Sequence, residues 1–318
     1  MLRKLMILSM LVLASSGCGG KGEISDIKLG IGFIPHIQFA PLYLGMEKGF
    51  FKEEGINLSI DYGFGMDIFS LLENEKIDIG LSDSDQLITA HEKGIGLKAV
   101  FQYYQDYPVS IISKDKNIST PYDLTGKKIG TPELFGSSYI GLELFLKKYS
   151  LKENIEVVRI GYSQISSLLN NQVDAVVCFY NNEPVQIRSM GTSLSQWDIR
   201  DFSGMVGASF ITSSGIIKKK KDVLRRFIRA LRKSLDYTCK NQEESFNLSL
   251  KYLNDMDEEG RKIMRKILAR TCELLEAKNG RDYGYLDTDK YQESIDILKD
   301  LGLIAETYPA EEIVCAIR

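Results

Sequence analysis

Apolar positions between residues 27 and 104 fall into short runs: IKLGIGFI from Ile27, INLSIDYG from Ile56, IDIGLS from Ile77 and LKAVFQYY from Leu97. Runs of this length read as β-strands. Between them, the stretch around 40–52, MDIFSLLEN from Met66 and DSDQLITAHEKG from Asp83 place apolar residues at helical spacing. A βαβαβαβ order argues for a largely parallel sheet with helices on both faces. The rhythm returns after residue 120 with KKIGTP, SSYIGLELFLKKY, IEVVRIGY, SQISSLLNN, VDAVVCFY and NNEPVQIRSMG, predicting a second α/β unit.

Two extended runs join the units, PVSIISK from Pro108 and MVGASFITS from Met205. The expected architecture is therefore two α/β lobes on a two-strand hinge. The first lobe takes 27–107 and 208–318, and the second takes 108–207. After residue 215 the pattern is helical, and LRRFIRALRKSL aligns Leu224, Phe227, Ile228, Leu231 and Leu235 on one face. These helices are expected to pack back on the first lobe. The basic stretch from Lys218 to Lys233 reads as a solvated helix face, with docking to a permease or an anionic lipid surface as the alternative.

At the N-terminus Arg3 and Lys4 precede a ten-residue apolar stretch, 5–14, and the small residues Ser15, Ser16 and Gly17. This is the order of a secretory signal, 1–17, too short to span a membrane. Cys18 follows, so the signal's end resembles a bacterial lipobox. Lipid attachment is expected at Cys18, with 18–26 as a tether. Of the 318 residues, 44% are apolar, and 40 Lys and Arg against 43 Asp and Glu give a net charge of −3. No nucleic-acid partner is expected from that balance. Two histidines and five cysteines without a CxxC pair point to no metal site and no cofactor. The spacing pairs no two of Cys178, Cys239, Cys272 and Cys315, and the simplest reading is buried thiols.

Four segments carry a family resemblance: GFIPHIQFAPLYLGMEKGFFKEEGINLSI, DIGLSDSDQLITA, PYDLTGKKIGTPELFGSSYIGLELFL and CFYNNEPVQIRSMG. Together they resemble type II periplasmic binding proteins, in the branch that holds thiamine-pyrimidine-precursor, riboflavin and alkanesulfonate binders. The resemblance implies an extracytoplasmic, monomeric receptor that closes over a small ligand and delivers it to an ABC permease. It also brings in a pyrimidine synthase of the same superfamily, which uses a cysteine-rich segment and a histidine. Here the comparable region offers a lone Cys178, so an enzyme is not expected. A sensory module is the third class.

In open α/β sheets ligands sit beyond the carboxyl ends of strands. There the chain places Gln38, Phe39 and Tyr43, then Asp83 within SDSD, where Ser82 or Asp83 also suits a helix N-cap. Tyr103, Tyr104 and Tyr107 crowd the hinge, and Tyr104 is taken as a stacking surface. Gly136, Ser137 and Ser138 open a helix with donors, while Tyr180, Asn182 and Glu183 open another. The helix dipole should keep Glu183 an ionised acceptor, suited to N–H donors and unsuited to a sulfonate. The expected ligand is a flat, neutral heteroaromatic, riboflavin or a thiamine pyrimidine precursor, ahead of alkanesulfonates such as taurine. His36 is expected as an exposed loop residue. Gly30 and Gly32 form no nucleotide loop, because Pro35 stands where the fingerprint needs its third glycine.

Overall fold

The structure, a computed structural model, describes residues 24–276 and 280–317. The signal segment 1–17 and Cys18 lie outside the described residues. Among those described, no helix is long and apolar enough to cross a membrane.

The chain begins β1 (Ser25–Ile31), α1 (Ala40–Glu47), α2 (Phe50–Glu53), β2 (Ile56–Tyr62), α3 (Ile68–Glu73), β3 (Ile79–Asp83), α4 (Ser84–Glu92) and β4 (Leu97–Gln102). It continues as β5 (Val109–Ser113), β6 (Lys128–Thr131), α5 (Gly136–Lys148), β7 (Glu156–Arg159), α6 (Gln164–Leu169), β8 (Ala175–Phe179), α7 (Glu183–Ser189) and β9 (Ser195–Asp198). It ends β10 (Ala208–Ser213), α8 (Ser214–Lys240), α9 (Gln242–Ser249), α10 (Glu258–Leu275) and α11 (Thr288–Asp300).

Two five-stranded sheets result, in the orders β2-β1-β3-β10-β4 and β7-β6-β8-β5-β9. Both are mixed where the pattern suggested largely parallel ones. β10 runs antiparallel to β3 and β4, and β5 runs antiparallel to β8 and β9. Each of these strands enters from the opposite lobe, so no helical crossover forces it to be parallel. The crossing segments touch closely. A Cβ on Gly207 would lie 2.5 Å from the Asp106 carbonyl oxygen, so glycine lets the two backbones meet. Beside it the Ala208 carbonyl accepts from the amides of Tyr103 and Tyr104, at 2.8 and 3.0 Å.

The apolar face of α8 forms as expected: Leu224, Phe227, Leu231 and Leu235 are buried against Ile27, Leu29 and Phe210 of the first sheet. A second cluster passes between lobes, joining Leu87 and Ile88 of α4 to Ile140 and Phe145 of α5 through Tyr107, Val109 and Val206.

Three expectations need correction. The basic stretch is more than a solvated face, because it ties α8 to the first lobe: Lys219 pairs with Glu75, Lys220 with Asp78, Arg229 with Glu54 and Lys233 with Glu53. Cys239 and Cys272 are not thiols; they form a disulfide between α8 and α10. Residues 33 apart in sequence meet only because the two helices pack, which no spacing rule reveals. Cys178 and Cys315 are free. Finally, the helical tail does not confine itself to the first lobe. α10 reaches α7, where Lys266 Nζ donates to Ser189 Oγ at 3.1 Å.

Candidate functional site

The carboxyl ends of β1, β2 and β3 face those of β6, β7 and β8 across a polar seam between the lobes. Asp83 ends β3 and occupies the N-cap position of α4, yet its side chain makes no capping bond. Its carboxylate instead accepts from Ser137 Oγ of the opposite lobe at 2.7 Å. Ser137 Oγ also lies 3.0 Å from Asp85 Oδ1, and the Tyr107 hydroxyl proton is shared between the Ser137 carbonyl at 2.9 Å and Asp85 Oδ2 at 3.2 Å. One hydroxyl proton thus serves two carboxyl groups, Asp85 buried and Asp83 half-buried. Burial raises the Asp83 pKa, and burial with the neighbouring Asp83 charge pushes Asp85 up to about 7. The sequence does not single out Asp85 within SDSD, and the structure makes it the centre of this cluster. Gly136 opens α5 at φ +71°, a left-handed conformation that aims Ser137 at these carboxylates; Ser138 beside it is half-buried.

A second group surrounds Gln38, which sits in a short 3₁₀ turn, Ile37–Phe39. Its Oε1 accepts from the Tyr104 hydroxyl at 2.9 Å and its carbonyl from the Tyr103 hydroxyl at 2.6 Å. Tyr104 therefore lies at the seam, held at its tip. Phe39 is buried 6.3 Å from the Tyr62 ring. Tyr43 departs from its expected role as a cleft wall. It has no exposed surface, stacks on Tyr252 at 4.4 Å and accepts from the Tyr62 hydroxyl and the His36 amide. The C-terminal helices cover it, and the local helix pattern could not show that. His36 is likewise not an exposed loop residue: it caps the 3₁₀ turn, and burial lowers its pKa to about 4.

The third group lies at the β8–α7 turn. The Tyr180 hydroxyl donates to Glu273 and accepts from Arg270, both on α10, and the Arg200 guanidinium lies 3.9 Å above its ring. The flat face offered for ligand stacking is thus already taken by a cation. Asn182 accepts from Gln186 Nε2 at 2.8 Å, within its own helix. Glu183 accepts from the Phe179 amide at 3.0 Å and closes the turn. Burial raises its pKa, the reverse of the expected dipole effect, because desolvation outweighs the end of a seven-residue helix.

Sequence reasoning missed Asn181, Thr271, Arg270 and Glu273, and it missed an aromatic contact across the mouth of the seam. There Phe64, after β2, meets Tyr162, after β7, edge to face at 4.6 Å. The strand-end rule could have found Asn181, Phe64 and Tyr162. Nothing in the tail's pattern marks residues 270–273. Elsewhere, a surface concavity of about 520 Å³ is lined by Arg229, Arg232, Lys233 and Arg281 with Asp236, Asp282 and Tyr283. Three of its cations are engaged: Arg229 and Lys233 with acids of α2 and its C-cap, and Arg232 Nε with the Tyr283 carbonyl. The interlobe seam is the stronger site. Among the described residues no cluster suited to a metal ion is found.

The model of the NMT1/THI5-like family matches residues 36–245. Over 89% of this chain and 82% of its own length, the riboflavin-binding protein RibY of Chloroflexus aurantiacus is 25% identical. The formylaminopyrimidine-binding protein of Halalkalibacterium halodurans is 22% identical over 98% of this chain and 97% of its own. A 4-amino-5-hydroxymethyl-2-methylpyrimidine phosphate synthase of Saccharomyces cerevisiae, THI11, is 24% identical over 62% of each chain. Among solved structures, the periplasmic aliphatic sulphonate binding protein SsuA of Escherichia coli superposes with a TM-score of 0.72 at 14% identity, covering 92% of both chains. The architecture is the two-lobed fold of the periplasmic binding proteins.

Proposed function

The chain belongs to the NMT1/THI5-like family, and from that premise we propose that it is the extracytoplasmic solute-binding protein of an ABC importer. It takes a flat heteroaromatic vitamin or precursor, riboflavin or a thiamine pyrimidine precursor, between its lobes and hands it to the permease. In this reading Cys18 carries a lipid that anchors an otherwise soluble body to the outer face of the membrane, and the lobes divide at residues 107 and 207. The Cys239–Cys272 disulfide suits an oxidising location outside the cytoplasm.

One observation carries the ligand class: Asp85, buried, and Asp83, half-buried, meet at the seam as hydrogen-bond acceptors with one Ser137 hydroxyl between them. Such a pair favours ring N–H or amino donors and repels an anion. It takes over the role first assigned to Glu183. The alternative, an alkanesulfonate, draws on the likeness to SsuA and on Arg200 and Arg270 beside Tyr180. Those guanidinium groups already face carboxylates, Arg270 on Glu273 at 2.8 Å and Arg200 near Asp198 at 3.7 Å. The synthase reading is weaker, because Cys178 is buried and desolvation raises its thiol pKa, which disfavours the reactive thiolate.

A thermal-shift panel of riboflavin, formylaminopyrimidine and taurine tests the reading. A ligand at 100 times its dissociation constant adds about 2.7 kcal/mol to stability. Riboflavin or the pyrimidine should raise the melting temperature. Stabilisation by taurine alone would overturn the ligand class in favour of the sulfonate alternative.

A further inference from the structure

Two buried side-chain polar atoms among the described residues lack a hydrogen-bond partner, Asn181 Oδ1 and Thr238 Oγ1. A threonine hydroxyl inside a helix such as α8 can rotate toward a carbonyl of the preceding turn, so its deficit is local and easily relieved. The Asn181 amide has no such freedom. It is wholly buried, just past the carboxyl end of β8, between the hinge tyrosine Tyr104 and helix α10.

The neighbours fix which way the amide points. Thr271 Oγ1 gives its single proton to the Ile267 carbonyl at 2.8 Å, so toward Asn181 it can only accept. It accepts from Asn181 Nδ2 at 2.9 Å. Turning the amide over would set two oxygens against each other. The Tyr104 hydroxyl spends its proton on Gln38 Oε1 and cannot serve Asn181 either. Burial raises the Tyr104 phenol's pKa, and the Asn181 amide beside it pulls the other way, as a donor there must. Both of these neighbours thus engage the nitrogen end, and the oxygen end is left without a hydrogen-bond partner. Native proteins rarely leave a buried carbonyl oxygen unpaired, and such an atom calls for a partner that is sometimes absent.

We propose that Asn181 is the specificity-determining acceptor of the interlobe site: its Oδ1 takes a hydrogen bond from a ring or exocyclic N–H of the bound heterocycle. Thr271 is the positioning residue that holds the amide in that orientation. The inference rests on the heteroaromatic reading above and deepens it, since it names the edge of the ligand that is read. The ligand class it selects is a heterocycle presenting N–H at its rim. The same ring alkylated at that nitrogen is rejected, because it leaves Oδ1 unpaired and adds bulk against it. A helix from the C-terminal tail thereby takes part in recognition at a turn of the second lobe.

Calorimetric titration of the disulfide-intact protein tests this with two matched pairs: riboflavin against its N3-methyl derivative, and formylaminopyrimidine against its 4-dimethylamino counterpart. The wild type should bind the N–H member of at least one pair about 100-fold more tightly, the upper end of what one buried acceptor left unsatisfied costs. In Asn181→Leu that preference should collapse toward unity, chiefly through weaker binding of the N–H compound. Thr271→Val should reduce the preference, while Thr271→Ser, which keeps the hydroxyl, should restore it. Equal affinity of the wild type for both members of a bound pair overturns the proposal without recourse to any variant. If no compound binds, the heteroaromatic reading itself fails and this inference falls with it. Binding without discrimination sinks only the role of Asn181.

Discussion

At the scale of single residues, the seam is short of protons. Asp83 and Asp85 share the Ser137 hydroxyl, and the other donors to Asp85 are the Gln86 amide and the Tyr107 phenol. Tyr104, Tyr107 and Tyr162 face the pair and, with their pKa values raised by burial, stay neutral at ordinary pH. An Asp85 group with a pKa near 7 in the folded protein binds a proton that the unfolded chain releases near the ordinary aspartate value. Its contribution to stability is therefore complete below about pH 4 and is lost as pH rises toward 7. His36 acts in the opposite sense, because its lowered pKa costs stability as pH falls from about 6.5 toward 4. The comparison must therefore be between wild type and Asp85→Asn, in which the His36 effect cancels and the difference reports the coupled Asp83–Asp85 pair. Denaturant unfolding from pH 4 to 8 should give a difference that changes by up to about 1.4 kcal/mol per pH unit. A flat difference would remove Asp85 as the titrating group. The sequence made Asp83 and Ser137 visible separately, as strand-end and helix-start residues. Their meeting, 54 positions apart, was not visible, nor was the desolvation that raises the Glu183 pKa, because burial cannot be read from a helix position.

At the scale of elements, the apolar rhythm was enough to locate strands and helices where each is amphipathic, and α8 shows this best. It failed where an element is short and polar. β9 is Ser195, Gln196, Trp197 and Asp198, without apolar alternation, and it exists because β5 offers it an edge. It failed also for α10, whose pattern predicts a helix but not its neighbour. α10 is tied to α8 by Cys239–Cys272 and to the second lobe by Thr271 and Glu273. Closing a loop of 33 residues stabilises the folded chain by about 3–4 kcal/mol in the chain-entropy model. Cys239→Ser with Cys272→Ser should lower the denaturation midpoint accordingly. Amide exchange should quicken first in α10 and in the turn at 180–182, since the bond anchors that contact. Uniform loss of protection across both lobes would show that the disulfide serves global stability alone.

At the scale of the whole molecule, the paired sheets and the two crossings could be traced from the sequence, because each is built from recurring local signals. The arrangement of the lobes could not, since it depends on side chains meeting across a seam. Several contacts hold them together: the Ser137 bonds to Asp83 and Asp85, the α10 bonds to Tyr180, Asn181 and Ser189, the packing of Val185 against Ile37 and Ile267, and the Phe64–Tyr162 contact at the mouth. The apolar cluster through Tyr107 and Val206 lies at the crossings themselves and can act as the pivot. Opening about it would break the polar contacts and leave the pivot packed, so closure should be a population governed by a few bonds. A hydrogen bond to a charged group contributes about 1.5–3 kcal/mol, so Ser137→Ala should shift the closed-to-open ratio by roughly tenfold or more. Small-angle scattering should then give a larger radius for ligand-free Ser137→Ala than for ligand-free wild type. Saturating ligand should bring both to the same smaller value, because contacts to both lobes favour the closed form by their difference in affinity. Identical profiles for both proteins with and without ligand would mean that the lobes do not move on this hinge, and capture would need another mechanism.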